Sequence, residues 1–416
     1  MKDSLKLVLI QSINIFLGLF NVYYVAREVS PAVYAVVSVG YIITFLLTTF
    51  TFTGIEDALK QDVLGWLQGG RLRRIRILVS QAIIQRVITY MLVLPVVLGY
   101  AWYISEAKFE GLYFQEFLIF TLSGFIAAIH HCLSLLLKSF DRYVTVAFGE
   151  LIIGVVGKTA AVLFFVLWGF KAYVWALALL PIIPCIFLGR SMLPWMRPAY
   201  LIPTSALWKV IMRYKWFGFA SYMRYLGNYA DQLLISVFMA PEILAGFTIA
   251  RKVLDIGKIF SANIFENLTL KLVRFKTDTP QLLDQYKKLG ILRNKLVIGA
   301  SLLCLPLLFT LDTLVELAGL GEYAGLEFML MAAVVASVLQ LYRTSSDTTI
   351  KIFLPSDRIF WYECAYSTIS IGALAICALL LPQAHIMFYR VLLEAGMIII
   401  SVQFLQSFSR TYLAKA

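Results

Sequence analysis

The sequence predicts an all-α integral membrane protein of about twelve transmembrane helices, arranged as two parallel six-helix pseudo-repeats around a central cavity. Three observations predict it. The 416 residues are 61% hydrophobic, with a mean hydropathy of +0.82, well above the roughly 45–50% apolar usage of soluble domains. The apolar residues gather into twelve runs, each long enough, at about 1.5 Å per residue, to cross a hydrocarbon core of ~30 Å. Markers in the first half return in the same order in the second.

The runs lie near 5–26, 33–55, 77–103, 115–138, 143–169 and 172–192, then near 214–239, 243–270, 291–317, 324–350, 360–381 and 385–408. This divides the chain into halves 1–208 and 209–416, with no room for a separate soluble domain. The first run is too long for the apolar core of a signal peptide and reads as a retained span. Basic residues crowd alternate connections: Lys2, Lys6 and Lys60; Arg71, Arg73, Arg74 and Arg76; Lys138 and Arg142; Arg190 to Lys215; Lys271 to Lys295; then Lys351, Arg358, Arg410 and Lys415. The other side has Lys108 and Lys171, with Arg27 at a helix end. Such asymmetry places both termini in the cytoplasm. The net charge of +12 is therefore a topology signal and implies no nucleic-acid partner. The 71–76 loop is expected against anionic membrane lipids.

Several functions are disfavoured. Cys132, Cys185, Cys304, Cys364 and Cys377 stand singly in apolar segments, without metal-ligand or paired spacing, so no metal site is expected. No Gly-rich loop ends in Lys-Ser/Thr, which counts against an ATP-driven pump, and no cofactor is expected. No connection on the sparsely charged side exceeds about a dozen residues, which counts against a membrane-embedded enzyme of glycan assembly.

The repeat is specific. A shift of 210 residues carries Asn14, Gly18 and Asn21 onto Arg224, Asn228 and Asp231, and Pro31 and Glu56 onto Pro241 and Glu266. Pro95 falls on Pro306 and Asp141-Arg142 on Asp357-Arg358 with slightly larger shifts. Six spans per half make the repeat parallel, an arrangement suited to alternating access at the interface of the halves.

The seventh and eighth runs carry ionisable residues that lipid would exclude. Ser221, Arg224, Asn228 and Asp231 share one helix face; Arg251, Asp255, Lys258 and Glu266 share another. These stripes are expected to line the polar cavity of a transporter. The opposing reading makes them structural pairs, Arg224 with Asp231 or Arg251 with Asp255.

The motifs Ser-Pro-Ala-Val-Tyr-Ala (30–35), Phe-Thr-Gly-Ile-Glu-Asp-Ala-Leu (52–59), Asp-Gln-Leu-Leu-Ile-Ser (231–236) and Ala-Pro-Glu-Ile-Leu-Ala-Gly-Phe (240–247) resemble the polysaccharide transporter branch of the multidrug/oligosaccharidyl-lipid/polysaccharide (MOP) exporter superfamily. The chain is similar in particular to Wzx-type flippases of O-antigen and related pathways, although Ala35 stands where the first turn of that family has Gly. The resemblance implies a flippase for undecaprenyl-pyrophosphate-linked oligosaccharide, coupled to a proton or sodium gradient. It also implies a glycan polymerase and other assembly proteins as partners. The alternative within the superfamily is a MATE-like drug/cation antiporter; a cationic cavity disfavours it, because like charges repel in a low dielectric.

A pyrophosphate needs Arg or Lys along its path. The candidates are Arg224, Arg251 and Lys258, then Arg27, Arg86, Lys158 and Arg343. Asp231 and Asp255 are candidates for ion coupling, since a buried carboxylate can exchange a proton. Glu56 and Glu266, symmetrically placed near span ends, are candidate gate residues or helix-end contacts. Tyr222, Tyr225 and Tyr229 either stack on sugar rings or pack between helices. Glu150, Glu363 and Glu394 read as packing or pairing residues.

Overall fold

Pro31 and Pro241 open two helices, each just after a short break in the chain. Ser30 caps the first, its side chain accepting from Val33 N at 3.5 Å. Proline suits the first helical position, where its missing N–H would have had no partner. The computed structural model describes residues 2–51, 63, 66, 69–140, 142–201, 205–274, 279–353 and 356–413. Glu56, the motif 52–59 and Asp141 therefore lie outside the described residues, as do the side chains of Lys258 and Glu266.

Twelve long helical segments hold most of the described residues, with short 3-10 turns at Leu193–Trp195, Pro198–Tyr200 and Gln383–His385. The long segments are α1 (Lys2–Glu28), α2 (Pro31–Phe50), α3 (Leu72–Phe109), α4 (Phe114–Ser139), α5 (143–168), α6 (170–192, interrupted by a turn at Leu180-Pro181), α7 (Ser205–Phe238), α8 (Pro241–Arg274), α9 (Thr279–Leu317), α10 (Leu326–Phe353), α11 (Ser356–Leu380) and α12 (Phe388–Leu413). Each coincides with one expected span, and no strand occurs among the described residues. Large apolar side chains such as Leu163, Leu167, Leu303, Phe309 and Leu379 are exposed, as expected of a surface that meets lipid.

The α5–α6 break depends on one residue. Helical backbone runs from Thr159 to Leu179 except at Gly169 (φ 80°, ψ −170°), a conformation essentially reserved for glycine. A continuous helix would hold Gly157 and Leu180 about 34 Å apart. Instead, a Cβ on Gly157 would lie 2.4 Å from Leu180 Cδ2, so the two segments form a hairpin. Gly169→Ala is expected to cost ~1–3 kcal/mol, read as a lower melting temperature of the purified protein. An unchanged melting temperature would show that the turn tolerates a side chain.

The described residues divide into two compact units: Met1–Tyr225 with Ser236–Pro241, and Leu226–Ile235 with Glu242–Ala416. Within the first, α4 packs against α2, α3 and α6, and α1 packs against α5. Ile75, Val79, Cys132, Leu136, Leu188 and Met192 form a core among α3, α4 and α6. Within the second, α10 packs against α9 and α12, and α11 against α12.

Candidate functional site

In the second unit, α7 carries Asn228 and Asp231 one turn apart, and Gly227 beside them lets α11 approach. A Cβ at Gly227 would fall 2.6 Å from the Tyr366 ring and 3.0 Å from Ser367 Cα. Ser370 Oγ, also on α11, donates to Gly227 O at 2.6 Å. This close packing brings a buried charge cluster together around Asp231, which is 1% exposed. Arg251 Nη1 of α8 donates to Asp231 Oδ2, as do Arg390 Nη2 of α12, at 2.5 Å, and the Tyr389 hydroxyl. Asp231 Oδ1 accepts from Gln232 N at 2.8 Å. Both guanidiniums also donate to Asn228 O, and Tyr366 OH donates to Asn228 Oδ1 at 2.9 Å. Arg251 lies over the Tyr229 ring, 4.7 Å from its centroid.

A second cluster adjoins the first through Tyr366. Arg390 Nη1 donates to the Tyr366 hydroxyl at 3.4 Å, and Arg343 of α10 lies 4.9 Å from the Tyr366 ring centroid. Arg343 Nε donates to Glu394 Oε2 and Nη1 to Asp347 Oδ2, both at 2.5 Å. The Tyr362 hydroxyl donates to Asp347 Oδ1 and lies 2.8 Å from Ser401 Oγ. Taken together, three guanidiniums meet three carboxylates, which offsets much of the several kcal/mol that burying each ion costs. The charge is not evenly divided. Two guanidiniums share Asp231, while two carboxylates share Arg343. Among the described atoms, the Nε–H groups of Arg251 and Arg390 have no acceptor.

The first unit builds a related site with fewer charges. Asn21, the counterpart of Asp231, accepts at Oδ1 from the Tyr173 hydroxyl at 2.6 Å and donates to Lys158 O at 3.1 Å. The shift that carries Arg142 onto Arg358 also carries Tyr173 onto Tyr389. Each half therefore directs a tyrosine hydroxyl of its sixth helix at the same position of its first. Residues 153–158 form a π-helical turn ending at Lys158, a local widening often found at functional sites. The Lys158 Nζ donates to Asn14 O at 3.1 Å and to Asn14 Oδ1 at 2.9 Å.

The remaining candidates are dispersed. Arg86 is buried and donates from Nη1 to Thr48 O at 2.8 Å and to Thr51 Oγ1 at 2.9 Å, with Nη2 3.3 Å from His131 Nδ1. It thus closes the C-terminal end of α2, whose last carbonyls lack helical partners. Arg27 is exposed in the last turn of α1, and Arg224 is half-buried on α7 in the first unit. Arg251 does not pair with Asp255 one turn along; its ion pair is with Asp231, twenty residues back. Tyr222 OH donates to Phe50 O at 3.4 Å, and the Tyr225 ring lies 6.2 Å from that of Phe45. Sequence reasoning missed Arg390. Its signal was present, since Arg390 and Glu394 stand four apart in the apolar twelfth run, a spacing that suggests a pair with each other. In the fold they part, Arg390 to Asp231 and Glu394 to Arg343.

A profile of polysaccharide biosynthesis proteins matches residues 1–267, more than half of the chain. The chain belongs to this polysaccharide biosynthesis protein family. No curated protein matches it. Solved structures share its fold. An inward-facing multidrug resistance MATE family transporter of the MOP superfamily aligns with a TM-score of 0.74 at 11% identity, covering 99% of this chain and 100% of that one. The lipid II flippase MurJ, in an inward closed conformation, aligns with a TM-score of 0.72 at 11% identity, covering 97% and 87%. A MATE in complex with MaL6 gives 0.68 at 14% identity, covering 99% and 97%. This member of the polysaccharide biosynthesis family is thus a multi-pass membrane protein with the MOP fold, and family and fold together support a membrane flippase or transporter.

Proposed function

We propose that the protein is a flippase of the bacterial inner membrane. It moves undecaprenyl-pyrophosphate-linked oligosaccharide repeat units, of O-antigen or a related surface polysaccharide, by alternating access of the halves 1–208 and 209–416. One observation carries this reading: Arg251 and Arg390 share a single buried carboxylate and keep their Nε–H groups without acceptors among the described atoms. A buried donor without a partner costs ~1–3 kcal/mol. That cost falls when the site opens to a diphosphate, which guanidinium forks bind in bidentate fashion. Family membership supports a substrate from polysaccharide assembly, and the charge asymmetry of the loops supports cytoplasmic termini. Asp231 serves in this account as the counter-ion that Arg251 and Arg390 exchange for phosphate. Coupling to protons or sodium, and contact with a glycan polymerase, belong to the same proposal.

The test is made in cells carrying Arg251→Ala, with membrane levels of the protein matched to wild type. Lipid-linked oligosaccharide is expected to accumulate in the cytoplasmic leaflet, with surface glycan reduced at least about tenfold, the equivalent of one charge-assisted hydrogen bond. Normal surface glycan would remove Arg251 from the path. Intact glycan with raised drug sensitivity in a deletion strain would establish the antiporter reading instead.

A further inference from the structure

A second cationic recess, sharing no lining residue with the Asp231 cluster, lies where the start of α9 meets the end of α10. It has a volume of about 140 Å³ and is lined by Tyr286, Lys287, Arg293, Ser345, Ser346 and Thr349, among others. Its position along the chain fixes its environment. The α9 helix runs 39 residues, about 58 Å at 1.5 Å per residue, almost twice the ~30 Å hydrocarbon core. Its unbroken apolar run begins at Leu296, after Lys287, Lys288, Arg293 and Lys295. The recess therefore falls in the headgroup region, on the side of the basic 271–295 connection.

The donors in the recess are uncommitted in a specific way. Ser345 Oγ donates to Tyr342 O at 3.0 Å and Thr349 Oγ1 to Ser345 O at 3.0 Å, so neither has a proton to offer. Ser346 is 2% exposed, and its hydroxyl has no partner among the described atoms. Arg293 Cζ lies over the Tyr342 ring, 4.1 Å from its centroid, with Nε donating to Asn294 Oδ1 at 3.1 Å. Its two Nη groups make no ion pair among the described residues. Nearby carboxylates are already committed: Asp284 to Lys288 at 2.6 Å, and Asp347 to Arg343 and Tyr362. A guanidinium over a tyrosine ring, a mobile ammonium and one buried free hydroxyl around a small volume match a tetrahedral phosphate.

We propose that this recess binds a phosphate group at the membrane surface, with Arg293 and Lys287 supplying charge and Ser346 donating the buried hydrogen bond. Phosphate reaches such a site either on an anionic lipid headgroup or free in solution. The site does not depend on what the protein transports, and it would hold a lipid even in an antiporter.

The test is native mass spectrometry of the full-length protein titrated with phosphatidylglycerol or phosphatidylcholine, with and without inorganic phosphate. Phosphatidylglycerol is expected to be retained over phosphatidylcholine. Its retention should weaken at least about tenfold in Arg293→Gln, less in Ser346→Ala, and recover largely in Arg293→Lys. Lys287→Gln alters an exposed side chain and should weaken binding at an unchanged melting temperature, so the test stands even if Arg293→Gln folds poorly. Indifference to inorganic phosphate assigns the site to a lipid headgroup. Competition by inorganic phosphate, with the same dependence on the variants, assigns it to free phosphate. Equal phosphatidylglycerol binding by wild type, Arg293→Gln and Lys287→Gln overturns the proposal.

Discussion

Asp231→Ala is expected to deplete the folded protein far more than loss of either arginine that binds Asp231. Removing the carboxylate strands Arg251 and Arg390 together in a buried site, and breaking one buried pair costs ~3–5 kcal/mol. Arg251→Ala, by contrast, leaves Asp231 balanced by Arg390, and Arg390→Ala leaves it balanced by Arg251. Melting of the purified variants, together with their levels in the membrane, measures the difference. The arginine variants should remain folded while losing transport, and Asp231→Ala should be lost from the membrane. Adding Arg390→Gln to Asp231→Asn should restore part of the loss by removing one stranded charge. Equal stability of all three single variants would show that the cluster is solvated and not a closed ion network.

Arg343→Ala is expected to be the other severe change, with the opposite sign of charge. It leaves Asp347 and Glu394 facing each other's charge across the site that Arg343 filled. The cost is again ~3–5 kcal/mol, and the hydroxyl of Tyr362 offsets only part of it at Asp347. In a double-mutant cycle, Glu394→Gln should be destabilising in wild type and stabilising in Arg343→Ala. The coupling should be ~0.5–3 kcal/mol, the range for residues in one network. Additive effects would place Arg343 and Glu394 outside a common network.

Much of the fold was legible because a bilayer imposes a simple code. A spanning segment must be apolar over about twenty residues and satisfy its own backbone, so apolar runs became helices one for one. The α5–α6 boundary was legible as a short interruption around Lys171, although the residue that turns the chain, Gly169, is an ordinary glycine in an apolar stretch. The internal repeat was legible too, and the matched Asn21–Tyr173 and Asp231–Tyr389 contacts give it a physical basis.

The site was only partly legible. Helical spacing identifies which charges share a face, but not which neighbouring helix will face them. Arg251 and Asp255 are one turn apart and do not pair; Arg251 and Asp231 sit on separate helices and do. Arg390 and Glu394 repeat the lesson, since their own spacing points to each other while packing of α12 against α10 sends Glu394 to Arg343. Ion pairs between helices depend on rotation about each helix axis, which a single sequence does not encode in any local pattern. Arg86 shows the same limit, because its use in closing the end of α2 follows only from the approach of α3.

The most direct test is reconstitution of the purified protein into liposomes containing undecaprenyl-pyrophosphate-linked oligosaccharide, with glycan exposure on each face read by a membrane-impermeant glycosidase. Wild-type protein is expected to carry glycan from one leaflet to the other, and Arg251→Ala and Arg390→Ala, folded and reconstituted to the same level, are expected to slow it at least about tenfold. Transfer at the wild-type rate by both variants, or no transfer by wild type under an imposed proton or sodium gradient, would contradict the account.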